Sequence, residues 1–98
     1  MNNSDLLTFE EEIVMRKIRE GDNFMAVAEL YERLGTNTSN EYHKFVRTHR
    51  YTKTILRKLV LKAYITRYTD GIDSFYRVTH KGLLALLRID TIRKQYSL

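Results

Sequence analysis

The stretch from residue 50 to 63, RYTKTILRKLVLKA, alternates apolar and polar side chains with the period of an α-helix. At about 100° per residue, one side collects apolar and small side chains and the other collects basic and hydrogen-bonding ones. The apolar side holds Thr52, Leu56, Leu59, Val60 and Ala63. The polar side holds Arg50, Tyr51, Thr54, Arg57 and Lys58. The pattern predicts a helix with one buried face and one basic face.

A first helix is predicted near the start of the chain. Thr8 followed three residues later by Glu11 has the form of a capping box, in which the two side chains satisfy opposite free amides of a helix start. The helix is predicted over about 9–20 and ends before Gly21. Its acidic triplet 10–12 is interpreted as favourable for the helix dipole and as solvated.

The segment 24–35 predicts a second amphipathic helix that Gly35 closes, with Phe24 or Met25 either beginning it or forming a short edge strand. Residues 36–40 read as a polar linker. The next ten residues predict either a short third helix or a continuation of the basic helix. The sequence therefore leaves open whether residues 36–49 form a separate helix. This connection is longer than the three or four residues usual between the two helices of a helix-turn-helix.

Beyond Ala63 the period changes from 3.6 towards 2, which predicts two short strands. The Asp70-Gly71 pair lies between them and is a strong hairpin signal. We therefore predict a β-hairpin over about 64–79 with its turn at 70–73. The side chains expected towards the core are Ile65, Tyr76 and Val78, and those expected near the tip or on the outer face are Arg67, Tyr68 and Arg77.

A last helix is predicted over about 80–96, capped by Thr79. Its apolar residues cover more of the circumference than one core contact requires. Either the first helix of the same chain packs on the second face, or that face forms a two-fold dimer interface, which is the interpretation we favour. The expected interface residues are Leu84, Leu87, Ile89, Ile92 and Tyr96.

The charge is distributed unevenly along the chain. The net charge is +5, yet residues 1–41 carry 4 basic and 9 acidic side chains, and residues 42–98 carry 13 and 3. Between residues 42 and 69 there are eight Lys or Arg and no Asp or Glu. Such a region suits a polyanion, with nucleic acid, an acidic membrane surface and an acidic protein as the possible targets.

Catalytic and metal chemistry find little support in the sequence. There is no cysteine, and His43, His49 and His80 have no Cys, Asp or Glu at ligand-like spacing. Tyr51 beside basic residues resembles the tyrosine of a strand-cleaving enzyme, but no paired acids accompany it. We therefore predict no enzymatic activity, no cofactor and no metal.

No apolar run approaches the roughly 20 residues that span a bilayer, and the acidic start does not resemble a secretory signal. We therefore predict a soluble cytoplasmic protein without a membrane partner, and one that acts in the host cell if its source is a virus.

The order helix, helix, basic helix, hairpin, helix is similar to that of winged helix-turn-helix domains. Residues 24–88 resemble regulators of that superfamily, including the MarR-like and PadR-like groups and small regulators of archaeal viruses and plasmids. ILRKLVLKAYI resembles the end of a recognition helix entering a strand, with Ala63 where a glycine is common. The Asp70-Gly71 pair matches the wing, and YRVTHKG over 76–82 resembles the junction often seen as Y-x-L-T-x-K-G.

The resemblance implies one winged helix-turn-helix domain over residues 1–98, of mainly α (α+β) class. It would have three to four helices, a two- to three-stranded hairpin wing and a C-terminal helix. The implied function is sequence-directed binding of double-stranded DNA by a small homodimeric transcriptional regulator. Its recognition helix, about 50–63, would lie in the major groove with the 70–73 wing alongside.

Each basic or polar residue of this region then has an expected role. Base-edge candidates are Tyr51, Thr54 and either Arg50 or Arg57, while Lys53 and Lys58 are expected on the DNA backbone. Arg67, Tyr68 and Ser74 are expected to touch phosphate or the minor groove, and Arg47 completes the set. Asp70 and Asp73 would face phosphates, so the predicted contribution of the wing is modest.

Several alternatives remain open at this point. Arg47 and Arg50 can instead pair with the acidic first half, and Lys62 can simply be solvated. At the level of function, the basic face can hold an acidic protein within a replication or transcription complex. It can also coat DNA without base contacts.

Overall fold

Four helices and three strands make up the part of the chain that the computed structural model describes, residues 7–35 and 49–96, with side chains over 7–34 and 51–96. The elements in chain order are α1 (Phe9–Arg19), β1 (Phe24–Ala26), α2 (Val27–Gly35), α3 (His49–Leu61), β2 (Ile65–Thr69), β3 (Ser74–Val78) and α4 (His80–Tyr96). The class is α+β, as predicted. The predicted segment 36–49 lies, except for His49, outside the described residues, as does Arg47.

The capping box that the sequence predicts begins α1. The backbone N–H of Glu11 donates to Thr8 Oγ1 at 3.1 Å, and the backbone N–H of Thr8 donates to Glu11 Oε1 at 2.8 Å. Each side chain therefore satisfies a backbone donor that has no partner within the helix. The predicted helix over 9–20 is confirmed to within one residue, since α1 ends at Arg19.

The three strands form one antiparallel sheet in the order β1-β3-β2. Met25 of β1 is opposite Tyr76 of β3, and Ile65 of β2 is opposite Val78. These four side chains are at most 6% exposed, so they form the inner face of the sheet. The predicted hairpin and its inward residues are confirmed, and β1 is the edge strand that the sequence left as one of two alternatives.

The buried face of α3 is rotated slightly from the predicted one. Thr52, Leu56 and Leu59 are fully buried as predicted, but Ile55 is also buried at 5% exposure. The buried arc is therefore centred nearer to residues 52, 55 and 59, which places Val60 at its edge with 40% exposure. The prediction that Val60 belongs to the apolar face is wrong.

The end of α3 also differs from the prediction. Ala63 lies beyond the helix with a φ of 63° and does not join the apolar face. The N–H of Tyr64 donates to the Leu59 carbonyl at 3.0 Å, and that of Ala63 donates to the Val60 carbonyl at 2.9 Å. This pair of bonds is a Schellman motif, whose left-handed residue is usually glycine.

Replacing Ala63 with Gly is expected to raise the free energy of unfolding by about 0.5–1 kcal/mol, because glycine adopts a positive φ without the clash of a Cβ atom. The midpoint of urea unfolding measures the change. The matched control is Ala85→Gly within α4, which should lose about 1 kcal/mol since glycine disfavours a helix interior. Destabilisation by both substitutions would contradict the strained conformation at Ala63.

The junction between β3 and α4 explains the T-x-K-G pattern. Thr79 Oγ1 accepts from the Gly82 N–H at 3.0 Å and donates to the Ala63 carbonyl at 2.7 Å, so one hydroxyl caps α4 and joins it to the end of α3. A Cβ atom on Gly82 would lie 2.3 Å from the Tyr64 carbonyl oxygen. Glycine is therefore required for the start of α4 to approach the chain that follows α3.

The acidic start of α1 is buried, which corrects the prediction that these glutamates are solvated. Glu11 is 1% exposed and Glu12 is 7% exposed. The Nζ atom of Lys62 donates to both carboxylate oxygens of Glu11, at 2.8 and 3.1 Å. Lys62 is therefore an ion-pair partner that joins α1 to the end of α3, and its interpretation as a merely solvated residue is wrong.

Candidate nucleic-acid interface

The side of α3 that faces solvent carries exposed polar and basic side chains between residues 53 and 58. The buried face of the helix packs on the core, which leaves four of the predicted DNA-binding side chains on the solvent side and gives that side a net positive charge. These exposed residues are Lys53, Thr54, Arg57 and Lys58. The helix has no acidic residue, so nothing on it offsets these charges. The backbone of Arg50 lies in α3, while its side chain falls outside the described part of the chain.

Ion pairs elsewhere in the molecule occupy several acidic residues of the first half. Glu11 pairs with Lys62, Glu12 with Arg16 and Arg93, and Glu20 with Lys17 and Arg33. Within residues 7–34 and 51–96, no ion pair of this kind involves the cations on α3 and on the neighbouring strand β2. These cations are Lys53, Arg57, Lys58 and Arg67. These four positive charges are therefore available to an external anion on this side.

A pocket of about 170 Å³ lies between α3 and the hairpin. Its walls are Lys53, Arg57 and Val60 from α3, Arg67 from β2 and Tyr76 from β3. The three α3 residues are spaced i, i+4 and i+7, so they form one stripe along the helix. The sequence predicted the three cations as DNA contacts but missed Val60, which it assigned to the apolar face, and Tyr76, which it assigned to the core. The seven-residue spacing between Lys53 and Val60 is the sequence signal that places them on one side of the helix.

Arg67 is held in place by its own hairpin. Its Nη2 donates to Ser74 Oγ at 3.2 Å, and its guanidinium lies 6.0 Å from the centre of the Tyr76 ring. Burial raises the pKa of Tyr76, and the nearby charge of Arg67 lowers it by less. The phenol therefore stays neutral at ordinary pH and adds no negative charge to the pocket. Ser74, which is predicted to touch DNA, accepts this hydrogen bond and so orients Arg67.

Tyr51 has a partner in α1. The pKa of Tyr51 is raised by partial burial, by the negative charge of Glu10 and by a side-chain hydrogen bond to Glu10. The phenol donates in this bond, because an ionised carboxylate has only acceptors. Tyr51 is 42% exposed, so its ring still lies at the edge of the surface of α3.

Tyr68 lies on the other side of the sheet from the pocket. It is opposite Phe75 in the register, one residue away from the facing pair Arg67 and Tyr76, and neighbouring strand residues point to opposite faces. The guanidinium of Arg77 lies 5.5 Å from the centre of the Tyr68 ring. The structure therefore brings Arg67 to the cations of α3 but does not bring Tyr68 to them.

The hairpin turn is organised by Asp70. Its Oδ1 accepts from the backbone N–H groups of Ile72 at 3.0 Å and Asp73 at 2.8 Å. These hydrogen bonds lower the pKa of Asp70, so the carboxylate remains charged. Gly71 takes the positive φ of 95° that the turn needs, and Ile72 at the tip is 91% exposed. The acidic side chain that disfavours phosphate contact thus also fixes the shape of the turn.

The far side of α4 exposes four of the five residues predicted for a dimer interface. Leu84 and Ile92 are each 48% exposed, Leu87 is 59% and Tyr96 is 79%. Ile89 is half-buried against the rest of the chain. The predicted face is therefore available on α4, with Ile89 at its margin.

A buried carboxylate of α1 holds α4 in place. Arg93 donates two hydrogen bonds to Glu12, from Nη1 at 2.6 Å and Nη2 at 2.7 Å, and Arg16 Nε donates a third at 2.8 Å. Arg16 also bonds Asp90 of α4 at 2.7 Å. Burial raises the pKa of Glu12, but the hydrogen bonds and charges of Arg93 and Arg16 lower it by more, so the pKa lies below its ordinary value.

Replacing Glu12 with Gln is expected to remove about 1–2 kcal/mol of stability at pH 7 and to weaken its pH dependence. A lowered pKa in the folded state gives stability that is present above the unfolded pKa and is lost as the pH falls through the folded value. Wild type and variant should therefore converge as the pH falls through the lowered folded pKa of Glu12. Urea unfolding from pH 7 to pH 3 measures this, with the exposed Glu20→Gln as control. An unchanged acid slope in Glu12→Gln would contradict the role of the pair.

Two structural features are absent from the described part of the chain. No group of three His, Asp or Glu side chains there is arranged to hold a metal ion. None of its helices has the length and apolar character needed to cross a membrane.

Comparison of the chain with protein families, with curated proteins and with solved structures finds no match.

Proposed function

We propose that this chain is a winged-helix protein that binds double-stranded DNA, with α3 as the recognition helix and the β2–β3 hairpin as the wing. The observation that carries the proposal is the set of four cations, Lys53, Arg57, Lys58 and Arg67, that have no ion-pair partner among the described residues. A helix of this kind fits a major groove, where long cations beside it contact phosphates.

The order of the elements supports the same proposal. A helix, a short edge strand, a helix, the basic helix α3, a hairpin and a last helix follow one another, and the three strands form one sheet. In such an arrangement the hairpin lies beside the recognition helix, and here Arg67 of the hairpin shares a pocket with two cations of α3. Helix and hairpin can therefore contact the same DNA backbone.

The side chains differ in what each can recognise. Thr54 is exposed on α3, and a hydroxyl there can bond a base edge. A bidentate contact of an arginine with guanine would discriminate by about 1–3 kcal/mol, which lysine cannot match because it lacks the planar fork. Sequence-directed binding, as in a transcriptional regulator, therefore depends on the arginines of α3.

We also propose that two copies associate through α4. Its exposed Leu84, Leu87, Ile92 and Tyr96 form an apolar surface, and the bonds of Arg93 and Asp90 to α1 hold the opposite side of α4 against its own chain. A two-fold dimer would present two recognition helices to half-sites about 10 base pairs apart. Light scattering that shows only monomer at micromolar concentration would overturn this part of the proposal.

The experiment that tests DNA binding is fluorescence anisotropy of a labelled random-sequence duplex at 50 and 200 mM salt. Four phosphate contacts per protomer give a slope of about −3 to −4 in log affinity against log salt, so affinity should fall about a hundredfold or more over this range. No binding at 50 mM salt would overturn the proposal and would favour an acidic protein as the ligand of the basic face.

A further inference from the structure

The pocket between α3 and the hairpin combines a positively charged wall with a small volume. Three of its five wall residues are cations, Lys53, Arg57 and Arg67, and the wall contains no acidic residue. Like charges that converge on one space repel each other, and an anion between them removes that cost. The composition of the wall therefore indicates an anionic ligand.

The size of the pocket limits the ligand. Its volume of about 170 Å³ is below the roughly 300 Å³ at which sites for drug-sized molecules begin. A nucleotide or a similar effector would therefore extend beyond it, whereas one tetrahedral anionic group matches a small space with cations on several sides. Val60 and Tyr76 form the rest of the wall, and their apolar surface lowers the local dielectric and strengthens the attraction.

Part of the pocket is already ordered for such a ligand. Arg67 donates to Ser74 Oγ at 3.2 Å and lies over the Tyr76 ring at 6.0 Å, so its guanidinium is held near the pocket before any ligand binds. Holding a long side chain in advance reduces the entropy lost on binding. The guanidinium also offers paired donors that match phosphate oxygens.

We propose that this pocket binds a single phosphate group and that, on the proposed function of duplex binding, this group belongs to the DNA backbone. Lys53 and Arg57 contact the phosphate from α3, and Arg67 contacts it from the hairpin. One phosphate then fixes both elements relative to the duplex. Arg57 becomes a backbone contact, which leaves Tyr51, Thr54 and Arg50 as the base-edge candidates on α3.

The first test uses inorganic phosphate and the free protein. Amide signals of Lys53, Arg57 and Tyr76 should shift in a saturable way in ¹H–¹⁵N NMR spectra as phosphate is added at constant ionic strength. Arg67→Gln should abolish the saturation. The matched control is Arg77→Gln in the same hairpin, because Arg77 lies beside Phe24 and Tyr68 on the opposite sheet face. The dispersion of the same spectra shows that each variant is folded.

The second test distinguishes backbone phosphate from free phosphate. Arg67→Gln should weaken duplex binding about equally for unrelated sequences, and the salt slope should fall by about 1 per protomer. Arg77→Gln should leave both quantities unchanged. If phosphate saturates the pocket but Arg67→Gln binds duplex as wild type does, the assignment to DNA backbone is overturned.

The remaining outcomes separate this proposal from the proposed function. If phosphate produces no saturable shift at the pocket and Arg67→Gln binds duplex normally, the phosphate site is overturned while DNA binding stands. If phosphate saturates the pocket but wild type binds no duplex, the proposed function fails and the pocket remains a site for a free phosphate group.

Discussion

Replacing Lys62 with Met is expected to lower the free energy of unfolding by about 3 kcal/mol, because it leaves a buried carboxylate without its counter-charge. Glu11 has a side-chain exposure of 2% and accepts from Lys62 Nζ at 2.8 and 3.1 Å. The backbone N–H of Thr8 would remain as a donor at 2.8 Å, which compensates only part of the loss. Urea unfolding at pH 7 measures the change.

Two further variants show whether the loss comes from the buried charge. Adding Glu11→Gln to Lys62→Met removes that charge and should recover at least about half of the lost stability, since a neutral amide is cheaper to bury than an ion. Lys58→Met makes the same substitution at an exposed position of α3 and should change stability by less than about 0.5 kcal/mol. If Lys62→Met and Lys58→Met were equally mild, the Glu11–Lys62 pair would not stabilise the fold.

The pair also affects the proposed interface. It joins the start of α1 to the chain just after α3, and so it fixes the direction of the proposed recognition helix. Lys62 is one of the eight basic residues between 42 and 69. Because it is engaged in this ion pair, we do not expect it to contact DNA. A charge count along the sequence thus overstates the cationic surface.

The double replacement Arg57→Ala with Lys58→Ala is expected to weaken duplex binding at least about tenfold and to lower the salt slope by about 1–2 per protomer. Both side chains are exposed on α3 and have no ion-pair partner among the described residues, so their removal should leave the fold intact. Each removed cation leaves one phosphate or base without its partner. Fluorescence anisotropy with a labelled duplex measures both effects.

The matched control removes the same charge from another face. Arg88 and Lys94 are exposed on α4, and replacing both with Ala also lowers the net charge by two. Arg88 lies between Leu84 and Ile92 of the proposed dimer face, so light scattering checks that this variant associates as wild type does. If binding depended on total charge alone, the two double variants would lose the same affinity. We expect the α4 variant to bind within about threefold of wild type, because most of the electrostatic gain comes from cations at the phosphates.

Local sequence signals were sufficient to predict the helices and strands. The Thr8–Glu11 capping box, the Asp70-Gly71 turn and the Thr79 cap act through bonds between residues at most three apart, so their chemistry can be read directly from the chain. The hairpin and α4 are accordingly where the sequence placed them. Ala63 is a further case, since the resemblance to winged helix-turn-helix regulators already indicated a position where glycine is common.

The errors concern contacts between distant parts of the chain. Glu11 and Lys62 are 51 residues apart, and Glu12 and Arg93 are 81 apart, so no local pattern pairs them. The helical period predicted which residues of α3 are polar, but the exact rotation that exposes Val60 depends on how α1 and the sheet pack against the helix. The same is true of Tyr51, which contacts Glu10 of α1.

The candidate interface was predictable in composition but not in arrangement. Arg67, Lys53 and Arg57 are all recognisable as cations, yet only the register of β2 against β3 shows that Arg67 lies on the face of Tyr76 and Tyr68 on the other. A shift of one residue in that register would exchange the two. The strand register therefore narrows the set of hairpin residues that are predicted to contact DNA together with α3.

The measurement that tests the central claim most directly is the affinity of one random-sequence duplex for three proteins at 50 mM salt: wild type, the α3 double variant and the α4 double variant. We predict that wild type and the α4 variant bind with similar affinity and that the α3 variant binds at least about tenfold more weakly. Equal losses in both variants, or no loss in either, would contradict the assignment of α3 as the DNA-binding element.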